Sequence, residues 1–504
     1  MLLSFPRKLW LFIIGFALIK IGIASILGLG NDEVYYWTYA LKLEWNYFDH
    51  PPMVAWLIRA TTLDLLIHNE LAVRIGAIIA SSICSLLIFR IGLFLANDRV
   101  AWYSVILYSF SFYCSIIAGT FILPDSPQMV FWIWAIYLFL KITRASNKGR
   151  ETTYLWIWFG IACGLCMLCK VHGLYLWISA ILFIVFKQPK LLAQKGLYFA
   201  AFISLVLFSP VIIWNIEHNF ITYSYHSGRV SILQAKFNYL SFIRELGGAL
   251  FYNNPVIVVL TWFAVCSRFR KKTFLQRREI QVLLFFGLPL IFTLLALSTV
   301  RDTLPHWSGP GYACLILLAA VKLEQLKNVI AKRWISAAVV FFLLVVISTL
   351  IIINFYPGSL SKEKTELSLG KGDPTLDLYG WPKTAEIVDS ICNRNPQLKI
   401  MVVDKWFPAA HLDFYVAERT SLTTYGVGET FNIHQYALTN ENKRKLVADE
   451  DALYITTSNL FDEKAFEKLK TYFKSTAPPI IIPILRNGKA CKNILVFKLR
   501  SFKG

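Results

Sequence analysis

Charge is scarce in this sequence. Only 16% of its 504 residues are Asp, Glu, Lys or Arg, whereas soluble domains carry about 25%. Combined with 56% hydrophobic residues, that scarcity excludes an ordinary soluble enzyme and a disordered chain. Acidic residues are scarcer still, 31 against 51 Lys and Arg, which leaves a net charge of +20. There is no Walker loop, dinucleotide fingerprint or Gly-x-Ser-x-Gly elbow, so an ATP-driven pump and a serine hydrolase lack support. No internal repeat or low-complexity segment stands out. The absence of any Asn-x-Ser/Thr sequon favours a bacterial envelope over a eukaryotic lumen.

What the chain has is aromatic residues, 15% of the total, and long apolar runs. About eleven candidate spans lie near residues 9–29, 71–95, 100–118, 124–141, 154–170, 173–187, 196–215, 249–267, 280–300, 306–322 and 334–354. The first follows Arg7 and Lys8 and lacks a small-residue cleavage site before Asn31, so it reads as an anchor and not a signal peptide. An odd number of spans with the N-terminus inside puts the last segment outside. The positive-inside rule agrees: the inner segments hold 20 Lys and Arg and the outer loops before residue 356 hold 7. Most of the +20 is then an orientation label and no sign of an acidic partner. Six of the eight histidines and ten of the 14 carboxylates before residue 356 fall on the outer side, which makes that side the expected reaction face.

After Tyr356-Pro357-Gly358 the composition changes. Residues 356–504 carry 21 basic and 17 acidic residues and no membrane-length run, as a folded soluble domain would. Strand-like runs at Lys399–Val403, Ala452–Thr457 and Ile480–Ile484 alternate with helical stretches near Phe407–Ala417 and Asp462–Phe473. Asn487-Gly488 suits the turn of a late hairpin that ends in Ile494–Leu499. The expected organisation is a polytopic α-helical membrane domain over 1–355 and an outer, periplasmic α/β domain over 356–504. Cys163, Cys166 and Cys169 read as a small-residue packing face, and Cys392 with Cys491 could pair in an oxidising compartment.

The outer loops carry the specific signal. Asp32 and Glu33 follow the first span directly, within Asn31–Trp37, and Tyr47-Phe48-Asp49-His50-Pro51-Pro52 comes after. A carboxylate at the water boundary can stay ionised yet be partly desolvated, which suits a general base; the plainer alternative is a solvated helix cap. Asp125 opens the fourth span after Leu123-Pro124. Lys170, Arg229, Arg301 and His306 lie in outer connections and could neutralise a phosphate, and Arg301–Trp307 compresses a cation, an imidazole and an aromatic into seven residues. Singly, such residues are also ordinary membrane-interface anchors. Asp49, His50, His218 and His226 offer ligands for a divalent metal without a metal-site spacing.

Together these segments resemble the bacterial membrane glycosyltransferases of the GT-C fold, a group that includes the aminoarabinose transferase of lipid A and relatives of the protein O-mannosyltransferases. The match rests on Asp32-Glu33, Tyr47–Pro52, Leu123-Pro124-Asp125 and Pro305-His306-Trp307, with Asp373-Pro374-Thr375, Gly380-Trp381 and Phe414-Tyr415 in the outer domain. The resemblance implies that Asp32 is the catalytic carboxylate, supported by Asp125, and that a sugar moves with inversion from a polyprenyl phosphate to an envelope glycan, lipid or protein acceptor. Glu33, Tyr36, His50, Lys170, Arg229, Arg301 and His306 are the expected donor contacts, with Asp49 and His226 as candidate metal ligands. His50 stands where the aminoarabinose transferase has lysine, so the phosphate contact there is weaker and Arg229 or Arg301 takes a larger share. A protein O-glycosyltransferase is the alternative within the class. A lipid-linked glycan transporter is the alternative outside it, although its ionisable groups belong near midspan and not at outer helix ends.

Overall fold

The structure, a computed structural model, describes residues 5–230, 236–267, 277–420, 422–443 and 446–504. The chain divides into two compact units, the first made of Met1–Ala24, Glu44–Asn46 and His50–Val345, the second of Ser25–Leu43, Tyr47–Asp49 and Val346–Gly504.

The first unit is helical. Each of the eleven apolar runs contains helix, but their lengths differ. Six helices are long and apolar enough to cross a membrane alone: Arg7–Ile26, Glu70–Leu95, Asp125–Asn147, Lys195–Glu217, Arg278–Ser298 and Asn328–Phe355. The run near 249–267 becomes two helices, Tyr239–Tyr252 and Pro255–Ser267, bent by 98°. Pro255 cannot continue the preceding helix, and Asn254 takes the left-handed conformation at the corner (φ 66°). The Asn254 amide fixes that corner by donating to the carbonyls of Phe110 and Ala338, both at 3.0 Å. Thr153–Cys169, Leu174–Lys187, Asp98–Ser109 and Gly309–Gln325 are shorter. The chain is thus a multi-pass membrane protein, with interruptions where uniform spans were expected.

Small residues let the shorter helices pack closely. Gly160 lets the Thr153–Cys169 helix lie against Ala200, since any Cβ would overlap the Ala200 backbone, and Ser204 Oγ donates to the Gly160 carbonyl at 2.7 Å. Cys163, Cys166 and Cys169 of the same helix are buried and free.

In the second unit β1 (Ile400–Val403), β2 (Thr423–Gly426), β3 (Ala452–Thr457), β4 (Phe473–Thr476), β5 (Ile480–Arg486) and β6 (Lys489–Phe502) form one sheet in the order β2-β1-β3-β6-β4, with β5 also pairing β6. β1 runs parallel to β2 and β3, while β6 is antiparallel to β3, β4 and β5. Asn487 and Gly488 make the β5–β6 turn with φ of 46° and 75°, the positive values that a tight hairpin requires. Ile400, Val402, Tyr454, Phe466, Leu495 and Phe497 build the core. The stretch expected to be helical near 407–417 is a short helix, Trp406–His411, that widens into a π turn, Leu412–Ala417. Cys392 and Cys491, which could pair in an oxidising compartment, are both free thiols here, and Cys491 Sγ donates to the Ile484 carbonyl across the hairpin.

Arg486 ties this sheet to the end of the last long helix. It is fully buried, faces Asp373 at 3.3 Å, and donates to Thr375 Oγ1 and to the carbonyls of Gly358 and Ile353. A guanidinium at a helix C-terminus satisfies carbonyls that the helix leaves open.

Candidate functional site

In the first unit Asp125 is the centre of a buried polar cluster. It is the first residue of its helix and 2% exposed. Lys170 Nζ donates to its Oδ2 at 2.7 Å, and the Tyr113 hydroxyl donates to its Oδ1 at 2.9 Å. Local structure places all three. Tyr113 opens a π turn, Tyr113–Ile117, after the Asp98–Ser109 helix. Lys170 is the extended residue that ends the Thr153–Cys169 helix, just before a tight turn, Val171–Gly173. Anion and cation thus sit at the helix poles that favour them, the N-terminus for Asp125 and the C-terminus for Lys170. Gly309 leaves room for Tyr113, because a Cβ there would overlap the tyrosine ring.

Imidazoles surround this pair. His172 and His306 are within electrostatic reach of both Lys170 and Asp125, and His50 is within reach of these two imidazoles. His306 lies in the short turn Pro305–Ser308, and the ring of Trp307 is 5.7 Å from that of His172. The His50 and His226 rings lie 6.2 Å apart. The fold therefore gathers Asp125, Lys170, His50 and His306 into one region, with His226 beside it. Arg301 is half-buried in the connection that leads to His306, where its carbonyl accepts from Ser241 Oγ. The side chain of Arg229 lies outside the described residues. His218 stacks on Trp214 of its own helix with centroids 3.8 Å apart. Tyr113 and His172 went unremarked as site residues. The proximity of His172 to Lys170 in sequence was a usable signal, whereas Tyr113 arrives through a π turn that leaves no sequence mark.

In the second unit the segment after the first span is a helix, Asn31–Leu41, and Asp32 lies exposed in its first turn. Glu33 is buried and turns to its own helix, its Oε2 accepting the Gly30 N–H at 2.9 Å, one half of a capping box. Tyr35, Tyr36, Trp37 and Tyr39 are all buried. Asp49 accepts from the Tyr39 hydroxyl and, at 3.4 Å, from that of Tyr35. Burial, and then the Asp49 charge, push the Tyr39 hydroxyl well above its usual pKa, so it stays a donor. Among the described residues no group of three or more His, Cys, Asp and Glu could hold a metal ion.

The Asp32 helix is anchored at its start. The Leu29 N–H donates to the Tyr415 hydroxyl at 2.8 Å, and His411 Nε2 is 2.9 Å from Asn31 Oδ1. His411 stacks on Trp381 with centroids 4.0 Å apart, and Trp37 meets Phe414 edge-on at 5.0 Å. Burial holds His411 well below the usual histidine pKa, so its ring is neutral and acts as a fixed hydrogen-bond partner. Trp381, Phe414 and Tyr415, three residues of the resemblance, thus hold the segment that presents Asp32.

Comparisons with known proteins agree with this architecture. Residues 49–214 match the family of dolichyl-phosphate-mannose-protein mannosyltransferases. The lipid A galacturonosyltransferase RgtD of Rhizobium johnstonii is 21% identical over 62% of this chain and 65% of its own. The undecaprenyl phosphate-alpha-4-amino-4-deoxy-L-arabinose arabinosyl transferase of Pectobacterium carotovorum is 24% identical over 59% of this chain and 53% of its own. The chain thus spans less than two thirds of the length of these relatives. The crystal structure of ArnT from Cupriavidus metallidurans bound to undecaprenyl phosphate superposes with a TM-score of 0.61 at 12% identity, covering 97% of this chain and 98% of that one. In its matched segment, its relatives and its fold, the chain is similar to the membrane glycosyltransferases of the GT-C fold.

Proposed function

We propose that this protein transfers a sugar from a polyprenyl-phosphate donor to an acceptor on the outer face of the bacterial inner membrane. The acceptor class is lipid A, lipopolysaccharide or another surface glycan. The reading places the N-terminus inside, eleven crossings, and the domain of residues 356–504 in the periplasm. The excess of Lys and Arg in the inner segments supports that orientation, and the lipid A transferases among the relatives support the acceptor.

In this reading an acceptor oxygen attacks the anomeric carbon as the bond from that carbon to the lipid phosphate breaks, with inversion. The phosphate leaves as an anion, so it requires positive charge more than a proton. Lys170, held in place by Asp125, supplies that charge together with His50, His306, Arg301 and Arg229. Asp32 takes the acceptor proton. Glu33, Tyr36 and Asp49 shape the helix that presents it, and no step is assigned to a metal. The observation that carries this division of labour is that both Asp125 oxygens are engaged, by Lys170 and Tyr113, whereas Asp32 is exposed at a helix start.

The test is transfer in membranes from a mass-tagged undecaprenyl-phosphate sugar, with glycan analysis of a deletion strain to identify the acceptor. Tagged lipid A or glycan is expected from the wild type. Tagged protein alone would establish an O-glycosyltransferase, and movement of the intact lipid-linked sugar across the bilayer without transfer would establish a transporter.

A further inference from the structure

A second polar site lies at the opposite end of the Asp125 helix. That helix, Asp125–Asn147, has 23 residues, so its ends are about 35 Å apart at 1.5 Å per residue. At the far end is a cavity of about 590 Å³ whose lining includes Phe94, Leu95, Arg144, Lys148, Arg278 and Glu279. Its walls come from the end of Glu70–Leu95, the end of Asp125–Asn147 and the start of the Arg277–Ser298 helix, three membrane spans that finish on one side.

The lining is ordered before any ligand arrives. Arg144 Nε donates to Glu279 Oε1 at 2.8 Å, its Nη2 reaches the same oxygen, and its guanidinium lies 3.6 Å over the Phe94 ring. Glu279 is buried, so its charge is spent on Arg144. Lys148, exposed, and Arg278, half-buried, remain as the surplus of positive charge. The N-terminal pole of the Arg277–Ser298 helix adds to it. A cavity of this size accommodates a headgroup, and Phe94 and Leu95, at the end of the apolar Glu70–Leu95 helix, give it an apolar edge.

We infer that this cavity binds the phosphate headgroup of an anionic phospholipid from the bilayer, a site separate from the Asp125 cluster. The ligand chemistry is a phosphodiester with adjacent acyl chains. Lys148 and Arg278 contact the phosphate, and Arg144, locked by Glu279, sets the floor.

The test uses the purified full chain in detergent and native mass spectrometry with phosphatidylglycerol, phosphatidylcholine and inorganic phosphate as probes. Phosphatidylglycerol is expected to bind saturably and more tightly than phosphatidylcholine. Removing both charges in Lys148→Gln/Arg278→Gln is expected to weaken it by about 30-fold, roughly fivefold per basic residue. Lys148→Glu repeats the test at an exposed position where the fold is undisturbed, and Lys187→Gln, exposed and outside the cavity, is expected to change nothing. Equal binding of the two lipids, or equal loss in Lys187→Gln, would overturn the site in favour of diffuse retention charge. Inorganic phosphate that displaces phosphatidylglycerol at equal concentration would overturn the lipid assignment.

Discussion

Asp125 and Asp32 both stand in the first turn of a helix, where backbone N–H groups favour negative charge. Their surroundings differ. Asp125 is buried, with one oxygen on a lysine and the other on a tyrosine hydroxyl. Asp32 is exposed, on a helix held from behind by Asn31, His411 and Tyr415. A carboxylate whose oxygens are both occupied orders its neighbours, and one presented at a surface can take a proton. Position in the sequence made the two look alike as candidates, and the difference in environment is what the proposed division into a positioning residue and a base rests on.

Breaking the Asp125 side is expected to cost most. Lys170→Met leaves a buried carboxylate without its cation, a loss of about 3–5 kcal/mol, and Asp125→Asn added to it should recover stability without recovering transfer. Thermal unfolding of the three purified proteins checks this. If Lys170→Met costs no more than an exposed substitution, the pair is not the centre of its unit.

Tyr113→Phe removes one hydrogen bond to the same carboxylate and is expected to cost about 1.5–3 kcal/mol. Gly309→Ala acts on the same bond from outside, by pushing the tyrosine ring away. Double-mutant thermal unfolding should therefore show the two effects to be less than additive. Full additivity would mean that Gly309 serves helix packing alone.

The Asp32 side is expected to respond to pH through its support. The folded state holds His411 neutral, with a pKa well below 6.5, whereas the unfolded chain takes up a proton there as pH falls below about 6.5. Stability is therefore lost on acidification, by at most about 1.4 kcal/mol per pH unit, and is restored as pH rises above the unfolded value. His411→Gln should remove that component when unfolding is compared between pH 7.5 and 5.5. An unchanged slope would contradict the assignment.

Much of this was legible in the sequence, for reasons that differ by region. Apolar runs of membrane length had to be helical, because backbone groups in lipid have no other partner. Asn487-Gly488 identified its hairpin because positive φ at both positions tolerates few other pairs. The interruptions were hidden: the 98° bend depends on Asn254 reaching two distant carbonyls, which hydropathy does not register. The Asn31–Leu41 helix was hidden too, because its aromatic residues are buried by Trp406, Phe414 and His434, hundreds of positions away. Strands β2 and β4 are four residues each, as β1 is, but lack the continuous apolar run, Ile400–Val403, that marked β1. Asp32, Asp125 and Lys170 were readable as charges at helix ends; that Lys170 belongs to Asp125 depends on the fold alone.

The most direct measurement compares Asp32→Asn with Asp125→Asn in one preparation, scoring sugar transfer and thermal unfolding together. If the division holds, Asp32→Asn leaves stability within about 0.5 kcal/mol of wild type while transfer falls by roughly 10²–10⁴-fold, and Asp125→Asn loses stability and transfer together. Full-rate transfer by Asp32→Asn would contradict the account.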